Sequence, residues 1–512
     1  MKVVFPYLSI LILLPLFSSL FVILSDSQNS KNARNIGLCS SFASLLVSIY
    51  LYFNFENSYG DFQFVEKYEW IKFFKTSFHL GVDSLSIYFV ILVSFISLFS
   101  ILCLYIMKIE KIKEYVVCFL FLQSFSTGCF CALDILLFYV FFESVLIPMF
   151  IIIGIWGGEL KLKAAFRFFI YTLFGSLFML FAFVKIYNHV LTTNILDIYN
   201  YHFSVEVQIV LFVALFIAFA IKIPIFPLHT WLPLVHTEAP TAGSMFLAGI
   251  LLKLGAYGFL RLVLPLLPDA SIIFAPYVIG LGIIGVIYSS MVALVQEDMK
   301  KMIAYSSIAH MAFVILGIFS FTRKGYTGAV MQMLSHGIIS AALFFCIGII
   351  YDKFKSREIK FYGGLNALMP YLSVCFFIIS LGAIGVPGTF GFVGEFLILM
   401  GIIPLYIPYS FLVLPGIVLG SVYMLNLNKN IFYGELSKKI KLLLESDVAL
   451  KKDKNIFENN NIKRIMLFVL CFIIIIVGFH PSPYILTINQ AYSKIFMKIN
   501  KSPIYKGNKN EE

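Results

Sequence analysis

Residues 220–227 read Ala220-Ile221-Lys222-Ile223-Pro224-Ile225-Phe226-Pro227, and they stand at the end of an apolar run that begins near residue 206. Two prolines this close cannot continue a helix, because each lacks a backbone N–H and pushes the residue before it towards extended geometry. The break frees carbonyl groups, which at membrane depth must be met by protein or by a wet lining. A lysine stands beside it. The device recurs at Gly385-Val386-Pro387-Gly388-Thr389, with Glu395 downstream in the same apolar stretch. Paired interrupted helices, each next to an ionisable residue, point to ion chemistry near the middle of a bilayer.

Outward from these breaks the chain is apolar from end to end. Of 512 residues, 60% are hydrophobic and 13% charged, with a mean hydropathy of +0.93, too much apolar surface for one water-soluble core. Spans are expected near 3–24, 36–53, 84–107, 115–132, 134–156, 164–188, 206–228, 242–266, 271–296, 301–320, 326–350, 371–403, 407–433 and 463–480. The fold class is therefore all-α, a polytopic membrane protein of about fourteen helices, with helices 7 and 12 discontinuous. Breaks five spans apart suggest two inverted five-helix repeats. Residues 1–114 would hold helices 1–3, residues 115–266 the first repeat, residues 271–433 the second, and residues 434–512 an inner loop, the last helix and an amphipathic tail.

The first 24 residues carry one Lys, Pro6 and Pro15 but no small-residue cleavage site, and read as a spanning helix, not a signal peptide. The formal charge of +11 is a topology signal and gives no reason to expect nucleic acid. With both termini outside, the inner loops hold about twice as many Lys and Arg as the outer loops and tails, as the positive-inside rule requires. The largest contributor is the Lys-rich stretch from Glu435 to Arg464, read as a solvated inner loop. Beyond the last span, Ile485, Ile488, Tyr492, Ile495, Phe496 and Ile499 recur at helical spacing, as in a helix on the outer membrane surface or against a neighbouring subunit. All eight cysteines fall in or beside apolar runs and read as packing residues, with no metal site expected. Gly280-x-Gly282-x-x-Gly285 copies the dinucleotide fingerprint, but inside an apolar span it reads as close helix packing.

The residues that carry chemistry are those an apolar span should not contain: Glu143, Lys222, Lys253, Glu395, His310 and His336. Each ionised Lys or acid at mid-span costs roughly 2.5–3.5 kcal/mol, so four together cost on the order of ten. Such residues mark ion pathways more often than structural ion pairs. Burial disfavours a charged lysine and a nearby carboxylate favours it, so moving Glu143 relative to Lys222 would load or release a proton. His310 and His336 are suited to relay protons between Lys253 and Glu395. His229 and His236 lie on the inner connection with Glu238, where proton uptake and helix capping are equally open readings.

The segment from Lys222 to Gly258, KIPIFPLHTWLPLVHTEAPTAGSMFLAGILLKLGAYG, closely resembles the signature of antiporter-like subunits of respiratory complex I and of Mrp-type sodium/proton antiporters. FFESVLIP (141–148), DMKKMIAYSSIAHM (298–311), LSHGIISAALFF (334–345) and GVPGTFGFVGEF (385–396) extend the likeness over about residues 80–435. Glu395 is typical of the M-type branch, counterpart of mitochondrial subunit 4, where L-, N- and Mrp-type relatives usually carry Lys. The resemblance implies fourteen helices in two inverted repeats, Glu143 and Lys222 as a coupling pair, Lys253 as central relay and Glu395 as terminal proton donor and acceptor. It implies proton translocation by a subunit of an NADH:quinone reductase, with no cofactor on this chain and NADH, flavin, iron–sulfur clusters and quinone in partner subunits. L- and N-type neighbours and the lipid bilayer are the expected partners. The expected location is the bacterial plasma membrane, with the mitochondrial inner membrane as alternative. A subunit of an Mrp-type sodium/proton antiporter is the competing function, and a structural spacer the third. One departure stands out: Trp231-Leu232-Pro233-Leu234 replaces the family's common Trp-Leu-Pro-Asp, which removes a carboxylate near the presumed uptake site at His229.

Overall fold

A computed structural model describes residues 5–25, 30–56, 61–107, 109–404, 407–446 and 460–502. Among them, 13 helices are long and apolar enough to cross a membrane. Two shorter apolar helices, Pro370–Ile384 and Phe390–Ile402, flank the second break and end to end make one further crossing. The chain is thus an all-helical polytopic membrane protein, with both breaks where the prolines and glycines set them.

At the first break the Val205–Lys222 helix stops at Lys222, and helix resumes only at Leu232–Glu238. The carbonyls it frees are satisfied from within: Trp231 Nε1 donates to Ile221 O at 2.9 Å and the Ile225 amide to Ala220 O at 2.8 Å. At the second, Gly385 has φ +76° and Gly388 φ +87°, left-handed backbone that a side chain would strain. A third irregularity lies beside Glu143, where the expected 134–156 span divides at Val145 into Ile135–Ser144 and Leu146–Trp156. Pro148 has no N–H to offer the Ser144 carbonyl.

Contacts sort the connections onto two faces. On one, Trp156 Nε1 donates to Glu110 O, Gly158 N to Glu238 O, and Ser437 Oγ to Phe361 O, contacts that involve five connections far apart in sequence. On the other lie residues 61–85, the 191–204 connection, Asp269 and the C-terminal helix Ser482–Lys501. This is the alternation that the segmentation requires.

The second face holds two departures from the sequence reading. An antiparallel hairpin, Gln63–Ile71 with Thr76–Val82, forms a two-stranded sheet among described residues that are predominantly helical. Its Glu66 is 4% exposed and accepts from the amides of Leu8 (2.7 Å) and Ser9 (3.0 Å), satisfying the unpaired first turn of the Tyr7–Leu24 helix. The tail helix packs on its own chain, where a membrane surface or neighbouring subunit had been expected. Ile488, Ile495, Phe496 and Ile499 are buried, Tyr492 hydroxyl donates to Phe321 O, Lys498 Nζ to Tyr201 O, and Ser502 Oγ to Asp269. Within the Lys-rich stretch, Lys438–Ser446 is a helix and not a loop; residues 447–459 lie outside the described residues.

The small-residue reading of the glycine triplet holds for two positions of three. A Cβ on Gly282 would stand 2.7 Å from Leu316 and one on Gly285 3.1 Å from Ala312, both on the Met299–Phe319 helix, whereas Gly280 faces open space.

Candidate proton-relay site

Lys253 lies on Thr241–Leu266, which contains two wider π-helical turns, Leu247–Leu251 and Phe259–Val263. Such turns leave a helix carbonyl poorly paired and concentrate at functional positions. Here the buried Lys253 ammonium donates back to Ala248 O in the first wide turn, and its Nζ also lies 2.7 Å from His336 Nδ1. His336 is 4% exposed, and its Nε2 has no hydrogen-bond partner among the described residues.

The line continues across two more helices. The His310 and His336 ring centroids are 5.7 Å apart. His310 Nδ1 lies 2.9 Å from Glu395 Oε1, on the half-helix that follows the second break. Gln332 Nε2 holds the same carboxylate oxygen at 3.2 Å, and Ser335 Oγ donates to Gln332 Oε1 at 3.2 Å. Lys253, His336, His310 and Glu395 thus form one string of basic and acidic groups, each on a different helix. A proton can pass along it by exchanging donors and acceptors, since imidazole both gives and takes at neighbouring nitrogens.

Glu143 and Lys222 sit apart from this string. Their charges lie within reach of each other, yet they form no direct ion pair. Lys222 Nζ instead points over the Phe142 ring at 4.8 Å and the Phe168 ring at 5.8 Å, without a hydrogen-bond partner among the described residues. Glu143 Oε1 is buried and likewise unpartnered among the described residues. A lysine held by ring faces near a carboxylate with one free oxygen can form or break a contact through small side-chain movement. His229 packs between Phe226 and Tyr288, with centroids at 5.6 and 5.3 Å, and among the described residues no hydrogen bond joins it to the string. Leu234, where the carboxylate is missing, packs against the apolar core.

Sequence reasoning missed two features. Gln332 is a neutral amide, and nothing in composition separates it from a helix-packing residue. Arg261 is 2% exposed and pairs with Asp83 at 2.6 Å. Its Nε donates to Tyr257 hydroxyl at 3.0 Å, and Tyr199 hydroxyl donates to Arg261 O at 2.6 Å. A charge at the end of an apolar span was the available signal.

A family described as "NADH:quinone oxidoreductase/Mrp antiporter, TM" matches residues 132–422, which include Glu143, Lys222, Lys253 and Glu395. The chain belongs to this family. It is 46% identical to NADH-quinone oxidoreductase subunit M of Rickettsia bellii over 96% of this chain and 99% of that protein. It is also 46% identical to NADH-ubiquinone oxidoreductase chain 4 of Marchantia polymorpha, over 83% of this chain and 86% of that protein. Among solved structures, a chain of respiratory complex I from Thermus thermophilus superposes with a TM-score of 0.85 at 25% identity, covering 95% of this chain and 99% of that one. A chain of the Mrp complex from Dietzia matches with a TM-score of 0.84 at 16% identity, covering 99% of each, and shares the fold.

Proposed function

We infer that the chain is a proton-translocating membrane subunit of NADH-quinone oxidoreductase, coupling electron transfer in other subunits to proton movement across the membrane. The observation that carries this is the buried string Lys253–His336–His310–Glu395, standing in a chain whose nearly full-length relatives are subunit M proteins. It works as part of a translocase, with NADH, flavin, iron–sulfur clusters and quinone bound by partner subunits and none by this chain. L- and N-type antiporter-like subunits are its neighbours in the membrane.

In this reading Lys253, His336, His310 and Glu395 relay protons, and Glu143 and Lys222 form the switch that links the relay to its neighbours. Neither His229 nor Leu234 contributes to the string. Residues 115–266 and 271–433 act as two inverted repeats, each contributing one broken helix, between the flanking segments 1–114 and 434–512. The membrane is the bacterial plasma membrane, in keeping with relatives from Rickettsia.

Gently solubilised native membranes, run on a native gel stained for NADH dehydrogenase activity, test the assignment. Co-migration with the active high-mass band is expected; migration elsewhere points to an Mrp-type antiporter. Glu143→Ala and Lys222→Ala should then assemble but lose coupled turnover. Normal turnover in both would remove the switch, and failure of both to assemble would favour a structural spacer.

A further inference from the structure

A buried lysine outside the string stands at the Lys- and Arg-rich face. Lys300 is 4% exposed in the first turn of the Met299–Phe319 helix, and its Nζ donates to Ala239 O at 2.7 Å. It lines a cavity of about 400 Å³ that also borders Trp156, Gly158, Glu238, Asp352 and Arg357. Charged groups crowd the cavity wall. Arg357 Nη1 lies 3.5 Å from Glu238 Oε1 and donates to Thr237 O, while its Nε lies 3.5 Å from Asp298 Oδ2. Glu238 Oε2 accepts from the Leu160 amide at 2.9 Å, and Asp298 caps the helix that carries Lys300.

Behind this wall lies His236, fully buried, with neither ring nitrogen hydrogen-bonded among the described residues and its ring stacked on Phe344 at 4.6 Å and 10°. An imidazole buried without partners forfeits the bonds it would make in water, so a structural role accounts poorly for it. It stands three residues before Ala239, whose carbonyl holds Lys300, and Phe344, the ring it stacks on, lies about two turns beyond His336 on the same Arg323–Phe354 helix. His236 is thus the one described imidazole placed between the cavity and the string.

We propose that protons enter the relay from this cavity through Lys300 and His236, with Arg357 bridging Glu238 and Asp298 as the gate. The step is a proton exchange. Lys300 swings off the Ala239 carbonyl and gives one ammonium proton to a ring nitrogen of His236, and the neutral amine takes a replacement from solvent in the cavity. The imidazolium passes a proton on to His336, or to Lys253 once that lysine has given its own proton up to His336, and returns to neutral. The flexible Lys300 stem makes the swing cheap, and the ion pairs around Arg357 set when the cavity is open to solvent. This route rests on the relay reading above and replaces His229 with His236 as the uptake histidine.

The test uses the assembled complex in native membranes, with assembly scored by native gel and turnover by quinone-dependent NADH oxidation with proton uptake. Lys300→Arg keeps the charge and a donor for Ala239 O but does not release its proton at neutral pH. It should assemble and lose turnover by about tenfold or more, the scale on which a positioned proton-transfer group acts. His236→Ala should lose turnover similarly and regain it when imidazole is added, a recovery that a packing role would not produce. Full turnover in Lys300→Arg, or a loss in His236→Ala that imidazole does not restore, overturns the route. Failure of Lys300→Arg to assemble, together with normal turnover in His236→Gln, does the same. Glu143→Ala and Lys222→Ala run as controls: if they too keep full turnover, the pump reading fails, and if only they lose it, the uptake route alone is wrong.

Discussion

Asp83→Asn should destabilise the chain by about 3–5 kcal/mol, because it strands Arg261 as an uncompensated buried charge. The substitution keeps the side chain's size and one acceptor oxygen, so the bonds from the Leu85 and Ser86 amides, at 3.2 and 3.0 Å, can persist. What it removes is the charge opposite a guanidinium that is 2% exposed and 2.6 Å away. Seven of the eight free cysteines are buried, so thermal unfolding in detergent can be followed with a thiol-reactive fluorophore. Arg261→Met combined with Asp83→Asn should lose less than the sum of the two single variants, since the pair couples. The effect also has a sign with pH. Burial by itself pushes the Asp83 carboxyl up, but Arg261 and the bonds from Ser86 outweigh it and hold the group below the usual carboxylate range. A depressed folded value stabilises fully above the unfolded value of about 3.9 and fades as pH falls through the folded one. The gap between wild type and variant should therefore be constant from about pH 6 to 8 and close only below about pH 4. A loss smaller than about 0.5 kcal/mol near neutral pH, the range of ordinary surface substitutions, would refute the reasoning. Because Arg261 sits two turns beyond Lys253 on the same helix, the variant should also lower proton-coupled turnover.

Lys253→Met leaves His336 without its buried partner and should cut turnover about tenfold or more in an assembled complex; unchanged turnover would take Lys253 out of the relay. Gly394→Ala would place a methyl 2.7 Å from Gln332 Cα and N, a clash expected to cost about 1–3 kcal/mol and visible as lower thermal stability and displaced Glu395. Phe496→Ala empties a pocket shared with Phe321, Tyr326 and Tyr492, whose rings lie 4.7–6.3 Å away. It should cost about 3–5 kcal/mol and raise hydrogen exchange along residues 482–501, which wild-type protection there would contradict.

The spans and breaks were legible because their signals are local: eighteen or more apolar residues for a crossing, and Pro224, Pro227 and Pro387 for the interruptions. Charges at depth were legible for the same reason, since Lys253 and Glu395 each contrast with their neighbours. What escaped depends on partners distant in sequence. Arg261 reads as a span-end charge until Asp83, 178 positions earlier, is seen against it. Gln332 acquires a role only when Glu395 and His310 converge on it. Lys300 looks like an inner-loop charge because its burial comes from the 229–241 connection folding over it. In the hairpin, nothing local marks Glu66 as buried, because the amides it faces belong to another helix. The tail's apolar stripe was legible as a stripe, but its spacing does not say which surface covers it.

The bare faces of Gly328 and Gly394 bear on how the relay can be switched. A Cβ on Gly328 would stand 2.9 Å from the Gly394 carbonyl, and one on Gly394 would collide with the Gln332 backbone. The Arg323–Phe354 and Phe390–Ile402 helices therefore meet backbone to backbone, and neither can slide past the other without steric conflict. Gln332 and Glu395 travel as a single solid piece, like two teeth cut on one bar. A disconnection in the string cannot arise between those two helices. It falls instead at side chains that torsions alone hold in line, Lys253 against His336 and His336 against His310, so an interruption costs a side-chain rotation and leaves the helix scaffold undisturbed.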